Sequence, residues 1–223
     1  MLKNIKAVAF DIDGTLYPAS SLNIRLIPYV VKHLFFYLHY NKVRNILHRT
    51  APLSDFYEYQ ARLFAEETGC TAAEAKSKIK EIVYDGLKKY FKKIKPFKNV
   101  GETFRLLKEK GYKIALLSDF PPEQKGDVWG LASHCDFVLG TERIGALKPS
   151  KYPFGVLALS LNLNPDEILY VGNSIKYDLV GAKNAGMKTA VIGGGLKKIF
   201  NKKLRQADVV FSNYRQFIDI LLK

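Results

Sequence analysis

Asp11-Ile12-Asp13-Gly14-Thr15-Leu16 follows directly on the short apolar run Val8-Ala9-Phe10, and the fold turns on how that junction is read. The run reads as a buried strand near the N-terminus. Two carboxylates then stand two residues apart where the strand ends. Side chains at that spacing in an extended chain point the same way. The pair can share one site, one as nucleophile and the other as proton donor or acceptor. Gly14 falls where the chain must turn sharply, and Thr15 offers a hydroxyl to brace the loop. Two like charges this close resist joint ionisation unless a cation or a proton intervenes. The junction therefore predicts a bound metal, an acid–base role, or both.

From Asn99 onward, helical and strand patterns alternate. Helices are expected at Val100 to Lys110, Glu123 to Ser133, Tyr152 to Leu161, Ile175 to Ala185, Leu196 to Gln206 and Tyr214 to Leu222. Strands are expected at Lys113 to Leu117, Phe137 to Leu139, Ile168 to Val171, Thr189 to Ile192 and Val209 to Phe211. Such alternation implies an α/β fold, a doubly wound parallel sheet covered on both faces. Ligands bind such sheets at the carboxyl ends of the strands, which is where the opening motif sits. The stretch from Pro18 to Pro96 has no clear strand. Ile24 to Arg49, Ser54 to Thr68 and Thr71 to Ile94 read as helices, the last with Thr71 and Glu74 as a capping box. An all-helical block directly after the first strand has the pattern of an inserted cap. The expected organisation is a catalytic core of residues 1–17 and 97–223 with a cap domain of residues 18–96.

Three further elements bear on chemistry. Leu116-Leu117-Ser118-Asp119 ends an apolar strand in a hydroxyl, which would point into the same crevice as Asp11 and hydrogen-bond an anionic oxygen. Asp119 can cap the next helix, turn the chain or touch substrate. Leu147-Lys148-Pro149 holds a lysine in extended geometry before a helix, where it can offset charge. In Val171-Gly172-Asn173-Ser174-Ile175-Lys176-Tyr177-Asp178, Asn173 lies in a loop, Ser174 can cap a helix, and Asp178 falls in its first turns. Oxygen ligands of this kind suit Mg2+, which keeps several of its waters.

Together and in this order, these four elements resemble the haloacid dehalogenase superfamily, over nearly the whole chain. The resemblance implies a Rossmann-like core with a helical cap of the C1 type. It implies a phosphatase in which Asp11 is the nucleophile that becomes an aspartyl phosphate and Asp13 the general acid and then base. Ser118 and Lys148 would hold the phosphoryl oxygens. Mg2+ would be held by Asp11, the Asp13 carbonyl, Asn173 and Asp178. Thr15, Tyr17 and Asp119 are the expected substrate contacts, with Tyr17 and Pro18 starting the hinge into the cap. One departure stands out: family phosphatases usually carry Asp where this chain has Asn173, so metal binding is expected to be weaker or to lean on Asp178.

The 223 residues carry a net charge of +14 and only two cysteines, Cys70 and Cys135, in no ligand spacing. That argues against a disulfide framework or zinc site and fits a reducing, cytoplasmic compartment. No signal-peptide pattern is evident at the start of this sequence. The lysines gather at Lys88 to Lys98 and at Lys197 to Arg205, which read as solvated helix faces that steer anionic substrates. A nucleic acid or acidic membrane partner is compatible with the charge but backed by no motif. The segment from Leu26 to Leu38 is apolar and aromatic yet too short to span a bilayer. It reads as a cap helix packed on its neighbours, with a membrane or dimer contact as the alternative. His33, His39 and His48 read as cap surface or packing residues, and Gly193-Gly194-Gly195 as a loop without the ending of a nucleotide-binding motif. The expected substrate is a small phosphorylated metabolite. A phosphotransferase or mutase, a haloacid dehalogenase, and a non-catalytic module that binds an anionic partner are the alternatives. Asp13 is the discriminator against the dehalogenase, whose leaving group needs no proton.

Overall fold

The computed structural model describes residues 2, 4–193 and 207–222. The helix expected at Leu196 to Gln206, the lysine cluster within it, and Gly194-Gly195 lie outside the described residues. Six strands form one sheet in the order β3-β2-β1-β4-β5-β6, every pair parallel. They are β1 (Ala7–Phe10), β2 (Lys113–Ser118), β3 (Phe137–Gly140), β4 (Ile168–Gly172), β5 (Lys188–Ile192) and β6 (Val209–Phe211). This is the doubly wound, Rossmann-like α/β core expected from the alternation of elements.

β1 is central and buried on both faces, as a strand in the middle of a covered parallel sheet must be. Its side chains divide by the two-residue period of a strand. Val8 and Phe10 face one apolar layer with Phe104 and Leu107 of α6 (Val100–Glu109) and Tyr214 and Phe217 of the last helix, α9 (Tyr214–Leu222). Ala7 and Ala9 face the other, with Phe154 and Leu157 of α7 (Lys151–Leu161) and Ala182 of α8 (Val180–Asn184). The small side chains on the second face let Phe154 lie close to the sheet, edge-on to Tyr170. Each large side chain buried in these layers contributes ~1.5–3 kcal/mol.

All described elements between β1 and α6 are helical. They are α1 (Ala19–Lys32), α2 (Leu34–Leu47), α3 (Phe56–Thr68), α4 (Ala72–Ile79), a wide π turn at Lys80–Asp85, and the short α5 (Lys88–Phe91). Asp55 caps α3, and the Thr71–Glu74 capping box starts α4. The single helix expected over Ile24 to Arg49 is two, broken at His33, whose backbone leaves the helical region at φ −113°, ψ 31°. The helix expected from Thr71 to Ile94 is likewise divided, by the π turn. The helix expected from Glu123 to Ser133 is replaced by two short 3-10 turns, Pro122–Lys125 and Leu131–His134. Positive φ angles at Gly126, Val128, Trp129 and Gly130 prevent a continuous helix between them.

α2, α3, α4 and the π turn share an apolar core that includes Tyr40, Leu47, Phe64, Ile79 and, from the sheet side, Leu147. α1 is different. None of its residues is buried: the segment from Leu26 to Leu38 packs on its neighbours along one side only, through Tyr29 against Tyr90 and through Phe36 and Tyr37 on the helical core. The helical layer and the sheet layer are also joined by charge. Arg44 of α2 pairs with the buried Glu142 and stacks over Phe120, while the Tyr84 hydroxyl donates to the other Glu142 oxygen. No helix among the described residues is long and apolar enough to cross a membrane.

Candidate active site

The strand order reverses direction between β1 and β4, and the crevice that forms outside their carboxyl ends is the usual ligand position in such a sheet. Asp11 stands there as the residue after β1, its backbone N–H donating to the carbonyl of Val171 in β4. One carboxylate oxygen accepts from the Thr15 hydroxyl at 2.7 Å and the other from the Lys148 ammonium at 2.7 Å. Lys148 donates equally, at 2.7 Å, to Asp178. A buried ammonium is thus clamped between two buried carboxylates. Burial disfavours charge on Lys148, but the two carboxylates outweigh it and hold the ammonium well above its ordinary range. For Asp11 the balance goes the other way. Burial, with Asp178 and Asp13 nearby, outweighs the attraction of Lys148 and pushes its carboxyl up to about 7.

Asp13 sits two residues on in a contrasting setting. Its oxygens accept from the Tyr17 hydroxyl at 2.7 Å and the Ser118 hydroxyl at 3.1 Å, and the Lys125 ammonium lies 2.9 Å away. Burial opposes ionisation here too. Lys125 and the hydrogen bonds from Tyr17, Lys125 and Ser118 overcome it, holding Asp13 below the usual carboxylate range. Two acids on one short segment are therefore driven apart in proton affinity, Asp11 upward and Asp13 downward.

Asp11, Asp13, Asp119, Phe120, Lys148, Asn173, Ser174, Tyr177 and Asp178 line one cavity of about 140 Å³. Ser118 lies just beneath, completely buried at the end of β2. Thr15 and Tyr17 are placed differently from expectation. Both are buried, Thr15 with its hydroxyl on Asp11 and Tyr17 with its hydroxyl on Asp13. They hold the two acids and do not line the cavity. Asp119 does line it, and one of its oxygens accepts from the Thr141 hydroxyl and the Lys148 backbone N–H.

The donor set is compatible with Mg2+ on one observation in particular. Gly14, at φ +85°, lies so close to Asn173 that a Cβ there would stand 2.1 Å from the Asn173 amide nitrogen. Only glycine lets the Asn173 side chain sit over the first motif beside Asp11. The Asp11 carboxylate, the Asp13 carbonyl and the Asn173 amide oxygen are the hard ligands available there. Asp178 is committed elsewhere: one oxygen takes Lys148, and the other accepts the backbone N–H groups of Asn173 and Ser174 at 3.1 and 2.9 Å. No cluster of three or more His, Cys, Asp or Glu suited to a metal occurs among the described residues; on the three oxygens named, a divalent ion would keep several of its waters.

Two contributors escape a reading of the sequence. Lys125 is one lysine among many in a loop, and nothing in its surroundings marks it as buried. His48 is 100 residues from Lys148, yet its Nδ1–H donates to the Lys148 carbonyl at 2.6 Å and its ring stacks on Tyr177 at 4.3 Å. Burial lowers its proton affinity, in keeping with a neutral ring. A larger cavity, about 350 Å³, lies between α3, α4, the π turn and Pro121 to Gln124, and contains none of these acids.

A sequence model of the haloacid dehalogenase-like hydrolases matches residues 8–192. The chain belongs to this family. Among curated members of the haloacid dehalogenase-like group, pyrophosphatase PpaX of Halalkalibacterium halodurans is 27% identical over 220 residues, covering 97% of each chain. The glyceraldehyde 3-phosphate phosphatase of Methanothermobacter thermautotrophicus is 27% identical over 209 residues, covering 86% of this chain and 87% of its own. The crystal structure of a phosphatase from Thermococcus onnurineus superposes with a TM-score of 0.66 at 23% identity, covering 97% and 98% of the two chains, which establishes the shared fold. The chain is a hydrolase of this family.

Proposed function

We propose that the chain is a Mg2+-dependent phosphatase of small phosphate monoesters that works through an aspartyl phosphate on Asp11. The observation that carries this reading is the pairing of Asp11 with Lys148 and of Asp13 with Lys125 around one small cavity. Residues 18–96 then serve as the cap over a core of residues 1–17 and 97–223. The curated relatives named for pyrophosphate and glyceraldehyde 3-phosphate support a small phosphorylated substrate, and a cavity of about 140 Å³ suits one.

In this mechanism the Asp11 carboxylate attacks phosphorus, the bond to the leaving oxygen breaks, and that oxygen takes a proton from Asp13. Asp13 rests ionised, and the arrival of a phosphate dianion beside it raises its proton affinity, which favours loading the proton in the bound state. Once the leaving group departs, Asp13 removes a proton from water, and the hydroxide so formed attacks the aspartyl phosphate and releases phosphate and Asp11. Lys148 and Ser118 stabilise charge on the transferring group, and Thr15 and Asp178 keep Asp11 and Lys148 in register, so that positioning and electrostatics supply most of the effect. A divalent cation on Asp11, the Asp13 carbonyl and Asn173 would supply the positive charge that keeps Asp11 ionised near neutral pH.

The test is phosphate release from an aryl phosphate with and without Mg2+, combined with trapping of the phosphorylated protein. Mg2+-dependent turnover and a covalent phosphoryl group, both abolished by Asp11→Asn, are the expected results. Halide release from a 2-haloacid without phosphatase activity would place the chain with the dehalogenases instead. The commitment of Asp178 to Lys148, with Asn173 in place of an acid, favours one second reading, a binding module. Phosphate binding with no turnover at any Mg2+ concentration would select it.

A further inference from the structure

We propose that the outer helices α1 and α2 form a docking face for an acidic lipid surface. The observation is an apolar stripe that no described residue covers. Ile24, Ile27 and Val31 of α1 are 66%, 57% and 66% exposed, and Leu34, Phe35 and Leu38 of α2 continue the line at 46%, 79% and 53%. Their spacing of three and four residues keeps them on one side of each helix. Solvent-exposed apolar side chains are ordinary when scattered, but a contiguous row of this size marks an interaction surface.

Charge selects the occupant. Between Asp13 and Asp55 the chain carries no acidic residue, while Arg25 and Lys32 lie in α1; Lys42 of α2 is paired with Glu67 of α3. α1 packs on α5, where the Lys89 ammonium lies 5.6 Å from the Tyr29 ring centre. That contact lies on the side of α1 away from the stripe, which leaves the apolar row itself turned outward. An apolar row with Arg25 and Lys32 on the same helix, and no carboxylate in either helix, has the composition of a helix lying in the plane of an anionic bilayer. Neither helix is long enough to cross one. A second copy of the chain fits less well, because pairing through this face would set Arg25 and Lys32 against their own counterparts with no carboxylate on either helix to oppose them. Nucleic acid would use the lysines but leave the apolar row wet. The Asp11 cavity is made by other elements, so the docked enzyme can work on a soluble substrate at the membrane surface.

The experiment is co-sedimentation of the full chain with vesicles of phosphatidylcholine alone, or of phosphatidylcholine with about a third phosphatidylglycerol. Binding to the anionic vesicles, weakened by salt and near background on the neutral ones, is expected. The double variant Val31→Ser/Phe35→Ser should bind at least ~10-fold more weakly, with its melting temperature retained because neither side chain is buried. Failure to bind anionic vesicles, equal binding to both vesicle types, or full binding by the variant overturns the proposal. So does binding of the wild-type chain to duplex DNA without binding to vesicles. Sedimentation equilibrium closes the remaining route: a dimer that the double variant converts to monomer would assign the stripe to a second copy and overturn it.

Discussion

The carboxyl end of the sheet and the outer helix α1 invert the ordinary distribution of side chains in opposite senses. At the sheet, charged groups are buried: Asp11, Lys125, Lys148 and Asp178 are each less than a tenth exposed. On α1, apolar groups are in water. Both depart from what stability alone favours, since charges are rarely buried unless paired, and rows of apolar side chains are rarely left bare. The sheet offsets its departure internally, because every buried charge there has a partner of opposite sign. Among the described residues nothing covers the α1 row, and the proposed lipid surface would supply its compensation from outside. Departures from local consistency of these two kinds are where function is expected to reside.

The largest expected effect breaks the internal compensation. Lys125→Met leaves the half-buried Asp13 without its cation, and turnover of an aryl phosphate should fall about 100-fold, the scale of losing general acid–base assistance. A steady-state rate within a factor of two of the parent would show that Tyr17 and Ser118 suffice. Next, Asn173→Asp adds a charged oxygen over Gly14. Mg2+ binding followed by titration calorimetry should tighten by about 10-fold, and an unchanged Mg2+ dependence would remove Asn173 from the metal site.

The third prediction concerns pH. The Asp11 carboxyl is raised in the folded protein from 3.8 to about 7. Between those values the folded state keeps a proton that the unfolded state has released, so the contribution of Asp11 to stability falls as pH rises through the window. With a chelator present, Asp11→Asn should melt higher than the parent at pH 8, by on the order of 5 °C, and the gain should vanish toward pH 4. A gain that grows on acidification would reverse the sign of the coupling. The smallest effect belongs to α1. Ile27→Ser/Val31→Ser should shift the melting temperature by less than about 2 °C, whereas a loss of several degrees would mean the stripe is packed in solution.

Much of the sheet was readable in advance because its strands are buried on both faces and therefore appear as continuous apolar runs, such as Ile114 to Leu117. The opening acids, Ser118 and Lys148 are readable for a related reason: each ends or follows such a run, or stands directly before a proline at a helix boundary. What escaped depends on contacts distant in sequence. Lys125 differs from the surface lysines only in folding back onto Asp13, and His48 reaches Lys148 only once the helical layer is seated. The helix expected over Glu123 to Ser133 failed because its apolar spacing competes with Gly126 and Gly130, which take positive φ and end each turn. The unbroken helix expected from Ile24 to Arg49 failed at His33, where α1 turns away from the packed layer. Tyr17 was placed near the substrate by proximity to the first motif, yet its ring is buried edge-on against Trp129, which leaves its hydroxyl free only for Asp13.

The Arg44–Glu142 contact joins the helical layer to the sheet with a guanidinium and a carboxylate, both taken out of water. Such a pair forfeits its hydration when the layers meet and recovers it when they part. Parting the layers would therefore rehydrate two charges at once while also exposing Leu147 and Phe120 beside them, so the seam resists dry sliding and opens only as a wetted joint.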